Sequence, residues 1–302
     1  MTNAARDGDR HCLDVFDEIG SYQQRKPMKS AIRWIGVVVV LMCLTPALLA
    51  QPSTPLPGIT KWSQLPDLET GWDVLSQYPY QPGVQFGKLL ADDFLCTQTG
   101  PITGVRVWGS WWNDFDNPLQ SFQLTFWSDV PKGADPNTLY SHPGIPLWTT
   151  AALGLGIPYA HVLQEGFWDP NLPGQIGVDN VVWQYDFLFP AGMAFQQTAG
   201  NIYWLSVQRI NNPMQPDPFT WGWKTSFEQW NDDAAWTDNF IDPSSGYPVP
   251  TRWSELFIPD PTGLQVSRDM AFQLATVPEP VTASLIAGLG LLGFAAVRRF
   301  RG

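Results

Sequence analysis

Cysteine, histidine and positive charge are all scarce in this 302-residue chain, and each shortage removes a class of function. The three cysteines are Cys12, Cys43 and Cys96, too few and too far apart for a disulfide-stapled scaffold or a Cys-x-x-Cys zinc ribbon. There is no Gly-x-Ser-x-Gly elbow, no His-Glu-x-x-His and no Walker loop, so the common signatures of hydrolases, zinc proteases and nucleotide-binding enzymes are missing. Between Gln51 and Thr276 eight Lys and Arg stand against twenty-two Asp and Glu, a formal charge of −14. Such a surface repels phosphate backbones and anionic lipid headgroups, which excludes nucleic acid as a partner, and it attracts cations. No internal repeat and no clear linker interrupt this span, whose length suits one large domain or two small ones and allows a single hydrophobic core.

Long apolar runs are confined to the two ends. Lys29 and Arg33 precede the apolar stretch from Ile35 to Leu44, and Pro46 and small residues follow it. That is the order of a secretory signal peptide, covering 28–50, with cleavage after Ala47 or after Ala50. Cys43 follows Met42, a poor neighbour for a lipidated cysteine. Residues 1–27 are polar and of mixed charge, and read as an upstream non-native start or a disordered segment, with Met28 as the start of translation. Once the leader is removed Cys96 has no partner, and its place between Leu95 and Thr97 in an apolar run marks it as a small buried hydrophobe.

At the other end stand Val277-Pro278-Glu279-Pro280, an uncharged run from Val281 to Val297, and Arg298-Arg299-Phe300-Arg301. As a helix this run covers roughly 25 Å, enough for a single transmembrane span. The arginines hold its end on the cytoplasmic side and place everything before Val277 outside. The two prolines keep the junction extended and its backbone accessible. Residues 277–302 thus resemble the bacterial PEP-CTERM sorting signal: a Pro-Glu-Pro motif, a transmembrane helix and a basic end, in that order. The resemblance implies that Pro278, Glu279 and Pro280, with Arg298, Arg299 and Arg301, are read by an exosortase. It also implies signal peptidase and the general secretion machinery as partners. The chain would be held transiently in the inner membrane by its C-terminal helix alone, then delivered to the cell surface or extracellular matrix of a Gram-negative bacterium.

Inside 51–276 the apolar residues recur with period two. Val105, Val107 and Trp111 share one face, as do Phe122, Leu124 and Phe126; the pattern returns at Trp183 to Phe189, Tyr203 to Val207, Trp221, Trp223 and Phe227 around Lys224, and Met270 to Leu274. Pro- and Gly-rich breaks separate these segments, among them Pro131 to Gly133, Pro143-Gly144, Pro170 to Gly174, Pro213 to Pro218 and Pro243 to Pro250. The expected fold is all-β, an antiparallel β-sandwich of jelly-roll type with long loops. Phe227 to Trp236 is the candidate for a short helix. The body also resembles an uncharacterised tryptophan-rich domain of exported bacterial proteins that carry the same sorting signal. The similar stretches are Leu90 to Cys96, Trp108 to Trp111, Trp127 to Asp129, Gly222 to Ser226 and Asn231 to Ala234. This implies a β-sandwich with no assigned activity and no catalytic residues.

Fifteen of the sixteen tryptophans fall in this span, and most are expected in the inter-sheet core. Trp108, Trp111 and Trp112 cannot all face inward, because strand neighbours alternate. A tryptophan left outside, followed by Asn113, Asp114, Asp116 and Asn117, could stack on a sugar ring while the polar groups bind hydroxyls. Trp111, Trp112, Asn113, Asp114 and Asp116 are therefore the candidate carbohydrate-binding residues, although the same cluster before Pro118 also suits an ordinary turn. No catalytic and no metal residues are assigned. His142 and His161 have nothing to bring them together, and the pairs Asp92-Asp93 and Asp232-Asp233 suit calcium only in residue type, without the spaced ligands of a known loop. The expected function is that of a non-enzymatic surface or matrix protein associated with exopolysaccharide. The alternative is a secreted glycan-active hydrolase using two of Glu165, Glu228 and Asp232, marked by two carboxylates facing across a cleft.

Overall fold

Alternating side chains become strand almost everywhere in the computed structural model, which describes residues 54–78, 87–136, 138–210, 218–245, 248–259 and 263–277. The leader, the upstream segment, and the tail with Pro278, Glu279, Pro280, Arg298, Arg299 and Arg301 lie outside the described residues. Among the described residues no helix is long and apolar enough to cross a membrane.

Among the described residues nineteen strands follow in chain order. They are β1 (Ile59–Gln64), β2 (Trp72–Leu75), β3 (Gln77–Tyr78), β4 (Gly87–Leu95), β5 (Gly100–Ile102), β6 (Gly104–Trp111), β7 (Leu119–Val130), β8 (His142–Leu155), β9 (Ile157–Trp168) and β10 (Gln175–Leu188). Then come β11 (Phe195–Gln197), β12 (Ile202–Ile210), β13 (Trp221–Lys224), β14 (Ala235–Ile241), β15 (Pro248–Pro250), β16 (Ser254–Glu255), β17 (Phe257–Pro259), β18 (Gln265–Ser267) and β19 (Phe272–Thr276). One large sheet runs β1-β19-β6-β10-β9-β2-β13, and an eight-stranded one runs β15-β14-β4-β12-β7-β8 with β16 on β14 and β3 on β12. Most pairings are antiparallel; β2 with β9 and β3 with β12 are parallel.

The two sheets share an apolar core. Val105, Val107 and Trp111 of β6, Tyr185 and Phe187 of β10, and Trp221 and Trp223 of β13 meet Phe122, Leu124 and Phe126 of β7 and Tyr203, Leu205 and Val207 of β12. Phe122 shows how the layers interlock: its ring lies 4.9 Å from that of Tyr185, 5.5 Å from Phe187 and 5.0 Å from Trp221. A fully buried phenylalanine of this kind contributes about 1.5–3 kcal/mol through burial alone. Several core indoles also find acceptors, Trp111 on the Tyr185 hydroxyl at 3.1 Å and Trp223 on the Ala271 carbonyl at 2.8 Å. Cys96 is buried and unbridged, its thiol 3.2 Å from the Gln98 carbonyl.

The seven-stranded sheet does not stay open. One edge of β6 pairs with β19 through Gly104 to Val107 and then with β13 through Gly109 to Trp111, while its other edge pairs with β10. Since β13 also pairs with β2, and β2 with β9, the strands β6, β10, β9, β2 and β13 close into a ring. Gly109 permits the closure: a Cβ there would lie 2.2 Å from the Gly222 carbonyl oxygen and 2.5 Å from the Trp221 ring. Strand alternation then sends Trp221 and Trp223 to the shared core and Lys224 to the inside of the ring.

The segment from Phe227 to Trp236, expected as a short helix, is not helical. Asn231 takes a left-handed conformation with φ of 60°, which stops a helical turn, and Ala235 opens strand β14, where Trp236 pairs with Leu90 and Ser254. Phe227 is exposed.

Candidate functional site

Of the residues expected to hold a sugar, Trp111 is fully buried. The Arg209 guanidinium lies 5.2 Å above its ring and Phe219 packs edge-on at 6.3 Å, so no face of it is open to a ligand. Trp112 begins a 3-10 turn and is 37% exposed, its indole N–H bonded to the Ile176 carbonyl at 3.0 Å. Asn113 and Asp114 are left-handed, with φ of 54° and 53°. Their side chains are used within the fold: Asn113 Oδ1 accepts from the Val178 N–H at 3.2 Å, and Asp114 accepts from the backbone of Asn180 and Val181 and from the Asn180 amide. Asp116 is exposed in the loop before β7. The turn thus clamps the start of β10 and leaves Trp112 as its partly open aromatic.

A second set of groups, more concentrated, lies inside the ring. β2 supplies Asp73, β9 Glu165, β10 Asp179, β13 Lys224 and β6 Ser110, one polar side chain from each of the five strands, all buried. Asp73 and Lys224 are direct register partners, as are Asp179 and Glu165. A register shift between Asp179 and Val181 in the β10–β9 pairing breaks the simple alternation there. Lys224 Nζ lies 3.3 Å from Asp73 Oδ2 and in close contact with Glu165 Oε2. Gly71 leaves room for the ammonium, since a Cβ there would lie 2.9 Å from Lys224 Cε and Nζ.

Three carboxylates against one ammonium leave two negative charges uncompensated, in a place where burial penalises charge. Burial first, and the nearby charge of Asp73 second, push Asp179 up to about 10. For Glu165 burial outweighs the attraction of Lys224 and lifts the carboxyl to about 7; Asp73 is raised for the same reason. Burial acts on Lys224 in the opposite sense, but Asp73, Glu165 and Asp179 overcome it and hold the ammonium above its ordinary value. The oxygens that Lys224 does not reach, Asp73 Oδ1, Glu165 Oε1 and both of Asp179, have no donor in good hydrogen-bonding geometry; Ser110 is close enough to Asp73 and Asp179 to pull them slightly back down. One oxygen from each carboxylate can be chosen so that all three lie within 4.8 Å of one another, a spacing compact enough for a metal ion. In the sequence Lys224 was only the polar residue among the alternating aromatics of a strand, and Asp73 and Asp179 gave no signal.

Glu165 also lines a pocket of about 440 Å³ with Glu69, Thr70, Trp72, Gln164 and Gln175. Glu228 and Asp232, the other two hydrolase candidates, lie elsewhere in the hydrogen-bond network: Glu228 accepts from the Leu65 N–H at 3.3 Å, and Asp232 from the Ser141 hydroxyl. His142 sits 3.9 Å from Asp135, and His161 is exposed on β9.

The aspartate pairs suited to calcium belong to a different group, in which Asp92, Asp93 and Asp269 are buried and Asp232 and Asp233 are half-buried. Asp92 accepts from the Met270 N–H at 2.7 Å, Asp269 from Trp230 N–H at 2.7 Å and from Gln64 at 3.1 Å, and Asp93 from Asn231 at 2.6 Å. Asp232 and Asp233 receive the Ser141 and Ser267 hydroxyls. Burial pushes Asp93 to about 8 and Asp269 to about 7, and raises Asp92 with added repulsion from Asp269 and Asp93. Here neutral and backbone donors do what Lys224 does in the ring.

An all-β scaffold with a charged, closed ring beside a tryptophan-lined pocket is the class of protein these features define. The chain belongs to the family described as domain of unknown function DUF7901, whose model matches residues 60–275. No curated protein and no solved structure matches it.

Proposed function

We propose that this is an exported, C-terminally sorted protein of the surface or extracellular matrix of a Gram-negative bacterium, which associates with exopolysaccharide without turning it over. The observation that carries the proposal is the order of Pro278-Glu279-Pro280, the apolar run to Val297, and Arg298, Arg299 and Arg301. In the full reading the β-sandwich is of jelly-roll type, flanked by a removable leader and a single spanning helix that exosortase removes. Within the domain, the pocket supports glycan association: Trp72 offers an aromatic surface, and Thr70, Gln164 and Gln175 offer hydrogen bonds to hydroxyls. Trp112 adds a partly exposed indole, and Ile145, Leu147, Leu153, Leu155 and Ile157 form an exposed apolar row along β8 into β9 that suits association in a matrix.

A glycan-active hydrolase is the second reading, favoured by the presence of two carboxyls, Glu69 and Glu165, on one pocket wall. The tie from Lys224 to Glu165 argues against it, since that carboxyl is held within the ring. The test is co-sedimentation of the secreted protein with the host's own exopolysaccharide, together with intact-mass analysis of the surface-delivered form. Binding that drops at least tenfold in Trp72→Ala, with loss of Arg298 to Gly302, is expected. No binding, or surface protein still carrying the arginines, overturns the proposal; release of sugar during the assay moves the decision to the hydrolase.

A further inference from the structure

The ring interior is difficult to explain as a device for stability. Burying a carboxylate without partners costs several kcal/mol, and an apolar side chain at Asp179 would avoid that cost. Asp179 is nonetheless fully buried, with no donor in good hydrogen-bonding geometry at either oxygen and only the Ser110 hydroxyl beside it, and its neighbours Asp73 and Glu165 each have one oxygen that Lys224 does not reach and no well-placed donor satisfies. These are the oxygens left over after Lys224 has taken Asp73 Oδ2 and Glu165 Oε2. With all three carboxyls ionised the formal charge left after Lys224 is minus two, and one oxygen from each carboxylate lies within 4.8 Å of the others, which matches the needs of one divalent ion.

We propose that Asp73, Glu165 and Asp179 form a binding site for a hard divalent cation, calcium by preference, with Lys224 holding the far oxygens and so orienting two of the ligands. The donor set is oxygen only, with no cysteine or histidine, which disfavours zinc and copper. Calcium accepts irregular, partly bidentate carboxylate sets, whereas magnesium retains several waters that an enclosed ring would have to admit. Lys224 plays the part that outer-shell partners play around other metals, fixing the ligand rather than touching the ion. Entry is available through the pocket, because Glu165 belongs both to the ring interior and to the pocket wall. Because the site is read from the ring alone, it stands apart from glycan association: a chain that binds calcium but no exopolysaccharide sinks only the latter.

The test uses the purified full-length chain stripped with EDTA and titrated with Tb³⁺, whose emission is excited through nearby tryptophan. Trp72 packs over Gly166, next to Glu165, and its ring lies 5.8 Å from that of Trp168. Saturable emission, displaced by Ca²⁺ more readily than by Mg²⁺, is expected, with a melting temperature that rises as Ca²⁺ is added. Asp179→Asn and Glu165→Gln should each weaken Ca²⁺ competition at least tenfold, while Asp232→Asn in the other acidic group leaves it unchanged. Asp179→Asn separates a cation ligand from a mere burden on stability: it should melt higher than wild type in EDTA and lower than wild type in Ca²⁺. A wild-type chain with no saturable, Ca²⁺-displaced emission overturns the proposal whether or not the variants fold. So does unchanged competition in folded Asp179→Asn or Glu165→Gln.

Discussion

The two faces of the seven-stranded sheet are built on opposite terms. One face packs Val105, Val107, Trp111, Tyr185, Trp221 and Trp223 against the second sheet; two of its three indoles find a hydroxyl or carbonyl acceptor, and only the neutral Trp221 N–H goes without one. The other curls into a ring around Asp73, Glu165, Asp179 and Lys224 and leaves four carboxylate oxygens without a donor in good geometry. A core of the first kind maximises burial; one of the second kind sacrifices stability for a specific arrangement of charge. The first arrangement is what folding alone favours; the second is what the proposed cation site would require.

The comparison breaks most sharply at the single cation. Lys224→Met leaves three buried carboxylates facing one another and should cost about 3–5 kcal/mol in urea unfolding measured in EDTA. Phe122→Ala on the apolar face should cost a similar amount, about 3–5 kcal/mol, by leaving a cavity. The two losses differ in their coupling. Adding Asp179→Asn to Lys224→Met should recover part of the loss, whereas its effect should simply add to that of Phe122→Ala; additivity in both cases would remove the distinction between the faces.

A second contrast is between neighbours on the chain. Trp111→Ala should destabilise by about 3–5 kcal/mol, since it removes a fully buried indole with its Tyr185 and Arg209 contacts. Trp112→Ala should cost no more than about 1 kcal/mol, because the ring is partly open and makes one exposed hydrogen bond. Equal losses in thermal melts would mean that both rings belong to the core.

Outside the ring, pH probes the Asp92, Asp93 and Asp269 group. Folded Asp93 titrates near 8 and Asp269 near 7, against ordinary values near 3.8, so the folded chain binds more protons than the unfolded one between those limits. Their contribution is complete below about pH 4 and is lost as pH rises through 7 and 8. The melting temperature in EDTA should therefore fall between pH 5 and pH 9, and Asp93→Asn should flatten the slope. A slope unchanged in that variant would assign the effect to other groups.

A modest effect is expected at Cys96. With no disulfide to lose, Cys96→Ala should fold and lose about 1–2 kcal/mol of packing, measurable as a modest drop in melting temperature. A chain unable to fold without this thiol would contradict its role as a simple apolar group.

Period-two alternation made the all-β class legible, because β6, β7, β10, β12, β13 and β19 each bury one aromatic or aliphatic face. It did not reveal β8 and β9. Pro143, Pro146 and Pro158 interrupt their patterns, and in β8, an edge strand paired only with β7, a missing N–H is tolerated. Nor did it reveal the ring. Alternation separates two faces but does not say whether the second meets water, and that answer depends on the pairing of Trp111 with Trp221, far apart in sequence. Lys224 was visible as the polar neighbour of Trp223; that it points into an enclosure with Asp73 and Asp179 follows only from closure. Asn113 and Asp114 were visible as turn residues, and the structure uses them as such, to hold the start of β10.

Crystals of the chain grown with Ca²⁺, and again with Mn²⁺ for anomalous scattering, test the ring directly. One anomalous peak inside the ring is predicted, with oxygens of Asp73, Glu165 and Asp179 about 2.3–2.6 Å from the Ca²⁺ and Lys224 still on Asp73 Oδ2 and Glu165 Oε2. A ring holding only Lys224 and water, with the ions gathered on surface carboxylates, would contradict the account.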